Sequence, residues 1–458
     1  MGAWTIFVPE GLLLAGALVA LFSDVVFRGR ERAGAWAGAG FAALAAAVSV
    51  AAGHGTLTLF AGQFEVDGAT QVARTATLVL TAGFLVWLAG TGLKRGRVRE
   101  FAALVLFASL GALLMAAARD WIMLLLALET ATMPAYVLMG FDRGDDRSLE
   151  GALKYFLMSM VASLLFMYGA SFVIGMSGSN AFASTRLQGG AIGVVAASFV
   201  IAGLLAKLSA VPFQWWAPDA YAGAPSAAVA FVSSVPKVAG LAAFARVVTL
   251  LMPQVPQVGP LLVGAAVASM LLGNLAAYPQ QDLRRLMAYS GVAHAGYLLV
   301  GLAAGTAAGA QAAVYYAIAY AVPSMGVMLV AARYGQTLDD LRGLAVRCPW
   351  AAWATVLMLV SLVGVPPLAG FTGKLYLFTA AMRSGLVWLA VLSMVMSVVS
   401  AGFYLRIVRS MFFGQAEGVE PAVGGSAASA VVVAACALAV VVVGVASSPI
   451  LAAITFGR

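Results

Sequence analysis

The chain has 458 residues, of which 63% are hydrophobic and only 44 are charged, 26 Lys and Arg against 18 Asp and Glu. A water-soluble domain carries about 25% charged residues; this chain carries 10%, and they cluster between apolar runs long enough to cross a bilayer. The composition implies a polytopic membrane protein with no room for a separate soluble domain. Two lone cysteines, Cys348 and Cys436, make neither an iron–sulfur cluster nor a thiolate zinc site, and His54 and His294 fall in unlike segments and give no haem pair. No metal or redox centre is expected. Nor is nucleic-acid binding, because the net charge of +8 resides in short loops beside apolar spans.

Taken in chain order, the apolar runs are 4–22, 33–52, 69–92, 100–118, 120–140, 150–176, 190–222, 225–252, 257–277, 283–304, 308–333, 347–380, 385–413 and 427–450. The distribution of basic residues tests this count of fourteen, since one missed span scrambles which loops share a side. Odd-numbered loops hold sixteen: Arg28, Arg30, Arg32, Lys94, Arg95, Arg97, Arg99, Arg143, Arg147, Arg284, Arg285, Arg333, Arg342, Arg347, Arg406 and Arg409. Even-numbered loops and the termini hold four, Arg119, Arg186, Arg383 and Arg458. The asymmetry predicts a cell inner (cytoplasmic) membrane protein, multi-pass, with both termini outside.

Spans 7 and 12 are overlong and interrupted, by Pro212 and Pro218 in one and by Pro366 and Pro367 in the other. Proline removes a backbone donor and clashes with the preceding turn, so both helices should break there. Freed backbone groups at membrane depth are tolerated only inside protein or beside water. A separation of five spans is what two inverted five-helix repeats give. The expected division is three helices in 1–99, repeats in 100–252 and 257–413, and a last helix in 427–458.

Six basic residues lie inside spans: Arg74, Arg246, Lys154, Lys207, Lys237 and Lys374. Four of the five lysines are thus intramembrane, against two of twenty-one arginines. Arginine keeps its charge in any protein environment, whereas a desolvated lysine can gain and lose a proton near neutral pH. Glu129 is the one carboxylate well inside a span, because Glu10, Glu100 and Glu150 fall near span ends. Each such charge costs at least about 2.5 to 3.5 kcal/mol at mid-bilayer, so Glu129, Lys207, Lys237 and Lys374 are read as proton carriers. A purely structural ion pair is the blander reading, and one acid cannot neutralise three bases. Arg74 and Arg246 read as interface anchors. Lys154 reads either as a relay or as a side chain snorkelling beside Glu150, and His294 equally as a relay or as a satisfied core histidine. Lys374, placed about 11 to 12 Å beyond the Pro366-Pro367 break, is expected inside the bundle.

Four segments carry a resemblance: LLLALETATMPAYVLMGF in span 5, AKLSAVPFQWWAPDAYAGAPSAAVAFVSSVPKVAG across spans 7 and 8, NLAAYPQQDLRRLMAYSGVAHAGYLLVGL around span 10, and LVGVPPLAGFTGKLYLF in span 12. In them the chain resembles the antiporter-like, proton-translocating membrane subunits of respiratory complex I, in the form with lysine in both span 8 and span 12. One departure is Gln214, where the family commonly has histidine after Pro-Phe. The resemblance implies an all-α membrane-arm subunit of an NADH:quinone oxidoreductase, with other membrane-arm subunits and the bilayer as partners. NADH, FMN, iron–sulfur clusters and quinone are then expected in other subunits. It also implies roles: Glu129 and Lys207 as an input pair, Lys237 as central carrier and Lys374 as the terminal carrier facing outward. A cation/proton antiporter subunit, or the membrane arm of a related hydrogenase, would reuse the same helices and lysines; a scaffold without transport would not need them.

Overall fold

The computed structural model describes residues 3–26, 31–52, 56–93, 97–187, 190–414 and 426–457, so that Arg28, Arg30, His54, Lys94, Arg95 and Arg458 lie outside the described residues. Within them, eleven helices are long and apolar enough to cross a membrane. Three shorter apolar helices, Thr5–Leu21, Ala191–Lys207 and Pro349–Val363, bring the crossings to fourteen. In chain order these are α1 Val8–Leu21, α2 Ala33–Ala51, α3 Gly68–Thr91, α4 Val98–Ala117, α5 Trp121–Met139 and α6 Asp146–Ser177. Two broken helices follow, α7a Ala191–Lys207 with α7b Trp216–Gly223, and α8a Ser226–Val232 with α8b Val235–Leu251. Then come α9 Val258–Ala277, α10 Leu283–Ala303, α11 Ala307–Tyr334, the broken pair α12a Pro349–Val363 and α12b Ala369–Arg383, α13 Val387–Phe413 and α14 Ala427–Val445. A helix satisfies its own backbone in lipid except at its ends. Short acidic or hydroxyl side chains close several starts: Asp120 accepts from the Met123 amide at 2.6 Å, Asp282 from Arg284 at 2.8 Å and Thr306 from Gly309 at 3.1 Å.

Bonds between loops follow the parity that the charges suggested. On one face the Arg119 amide meets the Gln63 carbonyl at 2.8 Å, Trp121 meets Asn180 at 3.0 Å and the Leu187 amide meets the Gln254 side chain at 2.9 Å. On the other, Arg99 pairs with Asp24 at 2.7 Å, Arg284 donates to Ala224 at 2.9 Å and the Leu283 amide to Gln336 at 2.8 Å. The first set joins even-numbered loops and the second odd-numbered ones. The two five-helix sets also share a neighbour pattern: α4 packs on α5 and α8b, and α9 packs on α10 and α13. Likewise α6 packs on both halves of α7, and α11 on both halves of α12. Because α4 starts on the odd-loop face and α9 on the even-loop face, the second set runs inverted. The least exposed helices are central, with every residue of α11's most apolar stretch buried.

Two expectations from the prolines and arginines are corrected. Pro218 breaks nothing: it sits in the first turn of α7b, where its missing N–H has no helical partner to lose, and the interruption is residues 208–215, with Pro212 inside it. Arg74 and Arg246 are not interface anchors. Arg74 is 1% exposed and pairs with the equally buried Glu10 at 2.7 Å, while donating to the Ile6 carbonyl at 2.9 Å. Arg246, 4% exposed, reaches both oxygens of Asp67 at 3.0 and 2.9 Å. Sequence distance hid both pairs, since the partners are 64 and 179 residues apart.

Asp67 ties the even-loop face together. It caps α3 through the Thr70 amide at 2.8 Å and accepts from Arg119 at 2.9 Å and from the Gly457 amide at 2.8 Å. Burial raises its carboxyl, but Arg246, these amides and Arg119 outweigh burial and hold it below the usual carboxylate range. A carboxyl lowered on folding stabilises the fold above its unfolded value, and that contribution is lost as pH falls through the folded value. Asp67→Asn should therefore cost about 3 to 5 kcal/mol, because it leaves Arg246 buried without its counter-charge. It should also remove Asp67's share of the stability lost as pH falls below the ordinary carboxylate range, as read from thermal melts of both proteins in detergent across pH.

Candidate functional site

Glu129 lies midway along α5 and Lys207 is the last residue of α7a, and their charged ends meet at 3.2 Å. A polar cage from α5 and α6 completes this pair. The Lys207 amine donates to Ser159 at 2.5 Å and to Thr132 at 3.4 Å, Tyr136 donates to Ser159 at 2.6 Å, and Ser163 donates to Glu129.

Lys237 lies in the first turn of α8b, just past a second break that the sequence reading did not foresee. Ser233 and Ser234 interrupt α8 between its two halves, and Pro236 follows in the first turn of α8b. A cavity of about 70 Å³ lies between Lys207 and Lys237; its walls are mostly apolar, and both lysines with Thr132 and Ser159 are the polar groups that face it and could hold a water. Among the described residues the Lys237 amine has no ion pair and no hydrogen bond; its ordered neighbour is the face of Tyr320, with the ring centre 5.4 Å away. Gly291 on α10 makes room for this arrangement. A Cβ there would lie 3.0 Å from the Tyr320 hydroxyl and 3.4 Å from the lysine nitrogen.

His294, 2% exposed on α10, packs against Tyr320 with ring centres 4.8 Å apart and against Tyr297 at 5.6 Å. Its ring nitrogens meet the hydroxyls of Tyr316 at 2.7 Å and Tyr404 at 3.1 Å. Tyr297 in turn presents its face to the Lys374 amine, 4.8 Å from the ring centre. Lys374 belongs to α12b but does not stand two turns away from the break. Its side chain folds back and donates to the carbonyls of Leu362 at 3.0 Å and Val363 at 2.8 Å, the last turn of α12a, and to Ser397 at 2.7 Å. Gly364 closes α12a at φ +97°, and a side chain there would crowd the lysine methylenes at 3.1 Å.

The structure thus joins Glu129, Lys207, Lys237, His294 and Lys374 in one line across both five-helix sets. Lys154 stands apart from it. Its side chain is 43% exposed and pairs with Glu150 at 2.7 Å and Asp219 at 2.9 Å. Gln214 lies buried in the α7 break with its side-chain oxygen unpaired among the described residues. Sequence reasoning missed the tyrosines and hydroxyls between the charges, although Ser159 with Ser163 and Tyr316 with Tyr320 recur at the four-residue spacing that puts polar groups on one helix face. No group of three His, Cys, Asp or Glu side chains among the described residues could hold a metal ion.

Residues 118–400 match the family described as NADH:quinone oxidoreductase/Mrp antiporter, membrane region. The chain belongs to this family. A relative from Methylobacterium nodulans, named NADH-quinone oxidoreductase subunit N, is 40% identical over 97% of this chain and 95% of its own length. One of the same name from Sphingopyxis alaskensis is 38% identical over 97% and 96%. Among solved structures, a chain of respiratory complex I from Thermus thermophilus with bound aureothin superposes with a TM-score of 0.85 at 31% identity, covering 98% of this chain and all of its own. A chain of the Mrp complex from Dietzia shares the fold, with a TM-score of 0.87 at 21% identity over 99% and 96%. This antiporter-type fold is what brings the broken helices and the lysines together at the middle of the bundle.

An acid and a base that share one buried cage should lose function together. In proton pumping by membrane vesicles, Glu129→Gln and Lys207→Met should combine non-additively, with a coupling of about 1 to 3 kcal/mol. Strictly additive losses would show that the two do not act as a pair.

Proposed function

We propose that the chain is a proton-translocating, antiporter-like membrane-arm subunit of an NADH:quinone oxidoreductase, coupling quinone reduction in neighbouring subunits to proton transfer along its buried Lys and Glu. The observation that carries this reading is the amine of Lys237, unpaired among the described residues, set between a cavity that it shares with Lys207 and an aromatic path, and linked in this way to an ion pair at one end and to Lys374 at the other. An amine with no counter-ion is free to exchange its proton with whatever the cavity holds, and its neighbours decide when. A charge moved to or from 4 Å changes the energy of such an amine by about 4 kcal/mol at an effective dielectric of about 20. Movement of Glu129 relative to Lys207 would therefore change how strongly the proton is held at the next carrier. Glu129 and Lys207 act as the input pair, Lys237 as the central carrier and Lys374 as the outward-facing terminal carrier, with His294 relaying between the last two; Lys154 serves as a surface charge at the entry side.

The chain does this as a non-redox subunit within a multisubunit respiratory complex, and NADH, FMN, iron–sulfur clusters and quinone belong to other subunits. Whole-length similarity to relatives named subunit N supports this reading over an independent cation/proton antiporter. The orientation follows from the basic odd-numbered loops: they face the cytoplasm, both ends of the chain lie outside, and the membrane is the cytoplasmic one. The division into 1–99, the repeats 100–252 and 257–413, and 427–458 fits the same alternation.

Arginine cannot give up its proton. Lys237→Arg should let the complex assemble and yet lose most quinone-linked proton pumping; wild-type rates in that variant would show that charge alone suffices. For Lys374→Ala, pumping should fall more than electron transfer, and a cysteine-accessibility scan of α12b should find water reaching position 374 from the outer side. Access only from the cytoplasmic side would reverse its assignment.

A further inference from the structure

His294 is held by two hydroxyls at once, and the number of protons available decides how. A neutral imidazole carries one N–H and one bare nitrogen, so one tyrosine must donate to the ring while the other accepts from it. Tyr316 has no hydrogen-bond partner among the described residues except Nδ1 of His294, at 2.7 Å. Tyr404 has two, Nε2 at 3.1 Å and the Ser290 hydroxyl at 2.5 Å. If the ring proton sat on Nδ1, it would point at the Tyr316 oxygen and leave the buried phenol proton of Tyr316 with no acceptor. With the proton on Nε2, Tyr316 donates to Nδ1, the ring donates to Tyr404, and Tyr404 passes its own proton to Ser290. Only the Ser290 proton is then left over, and a serine inside a helix can turn it to a carbonyl of its own helix. Stranding a buried donor is the costlier outcome, so the second arrangement prevails.

We propose that His294 rests as the Nε2–H tautomer, with Tyr316 as donor to Nδ1 and Tyr404 as acceptor from Nε2, and that Tyr404 is a positioning residue of the proton line. The hydrogen bonds then all run one way, from Tyr316 through the imidazole and Tyr404 to Ser290. A proton can cross the ring only if every bond in this chain reverses, which makes the orientation of the Tyr404 hydroxyl a checkpoint on passage across the His294 ring. The role of Tyr404 rests on the proton-transfer reading above; the tautomer does not.

The chain has two histidines, so His54→Gln leaves a single ring to observe. Solid-state 15N NMR of the full histidine-labelled chain in lipid bilayers should show one tautomer, with the protonated-nitrogen shift on Nε2 and the bare-nitrogen shift on Nδ1. A ring protonated on Nδ1, a doubly protonated ring or an even mixture would overturn the assignment. Tyr404→Phe keeps the ring shape and removes the acceptor. In that variant the single tautomer should give way to a mixture, and proton pumping by the assembled complex should fall about five- to tenfold, the scale of one hydrogen bond. Unchanged tautomer and unchanged pumping in Tyr404→Phe would remove Tyr404 from the line. Failure of the proton line itself would appear separately, as wild-type pumping in Lys237→Arg while the His294 spectrum stays as described.

Discussion

Every backbone carbonyl inside a bilayer needs a donor, and a helix that breaks at membrane depth cannot supply all of its own. At the α12 break a lysine answers that need, and at the α7 break, where backbone amides and Trp216 cap the last carbonyls, a lysine stands in the corresponding place. Lys207 is itself the last residue of α7a, and Lys374 reaches back from the far side of its break to the carbonyls of Leu362 and Val363. The inverted repeat therefore places a lysine at each break by a different route: one from before it, with its amine held by Glu129, Ser159 and Thr132, and one from after it, with its amine at the negative end of α12a. Everything else in the site is arranged around these ammonium groups. The cage of Ser159, Thr132 and Tyr136 orients the first, and Ser397 with the Tyr297 ring orients the second.

Between the two ends, around Lys237 and His294, the bundle uses aromatic faces and hydroxyls. A carboxylate beside Lys237 would form a stable buried pair and hold the proton in place, whereas the Tyr320 ring attracts a cation without offering a counter-ion. The central helices α8, α10 and α11 carry these groups and are the best shielded from lipid, so the path across the pseudo-symmetry boundary is enclosed. The more peripheral Glu129 and Lys207 retain some exposure, with side chains 24% and 12% accessible.

Rigid ends complement the mobile charge. Arg246 lies nine residues beyond Lys237, about 13 to 14 Å along the same helix, and is anchored through Asp67 to α3 and the C-terminal segment. A clamp of this kind keeps the start of α8b, and with it the Lys237 amine, at a fixed place relative to the first helices of the chain. The buried Arg74 and Arg246 stand in structural ion pairs, and only the lysines of the line have a proton affinity low enough to serve as the exchangeable charges of the proposed function.

What the sequence determined by itself rests on local physics. Apolar run length and the sorting of basic residues between loops set the fourteen crossings and their alternation, proline chemistry marked the breaks at Pro212 and at Pro366 and Pro367, and the rarity of intramembrane charge singled out Glu129, Lys207, Lys237 and Lys374. Only the tertiary structure decided who meets whom. It turned Arg74 and Arg246 from surface anchors into buried partners of Glu10 and Asp67, set Lys154 aside at the surface, and returned Lys374 to the break it follows. It also filled the gaps with Tyr320, Tyr297, Tyr316 and Tyr404, of which only Tyr316 and Tyr320 shared a helix-face spacing in the sequence. The reason is that hydropathy and backbone chemistry act along the chain, whereas a hydrogen bond or an aromatic contact between helices depends on rotation and depth, which are set only when fourteen crossings pack together.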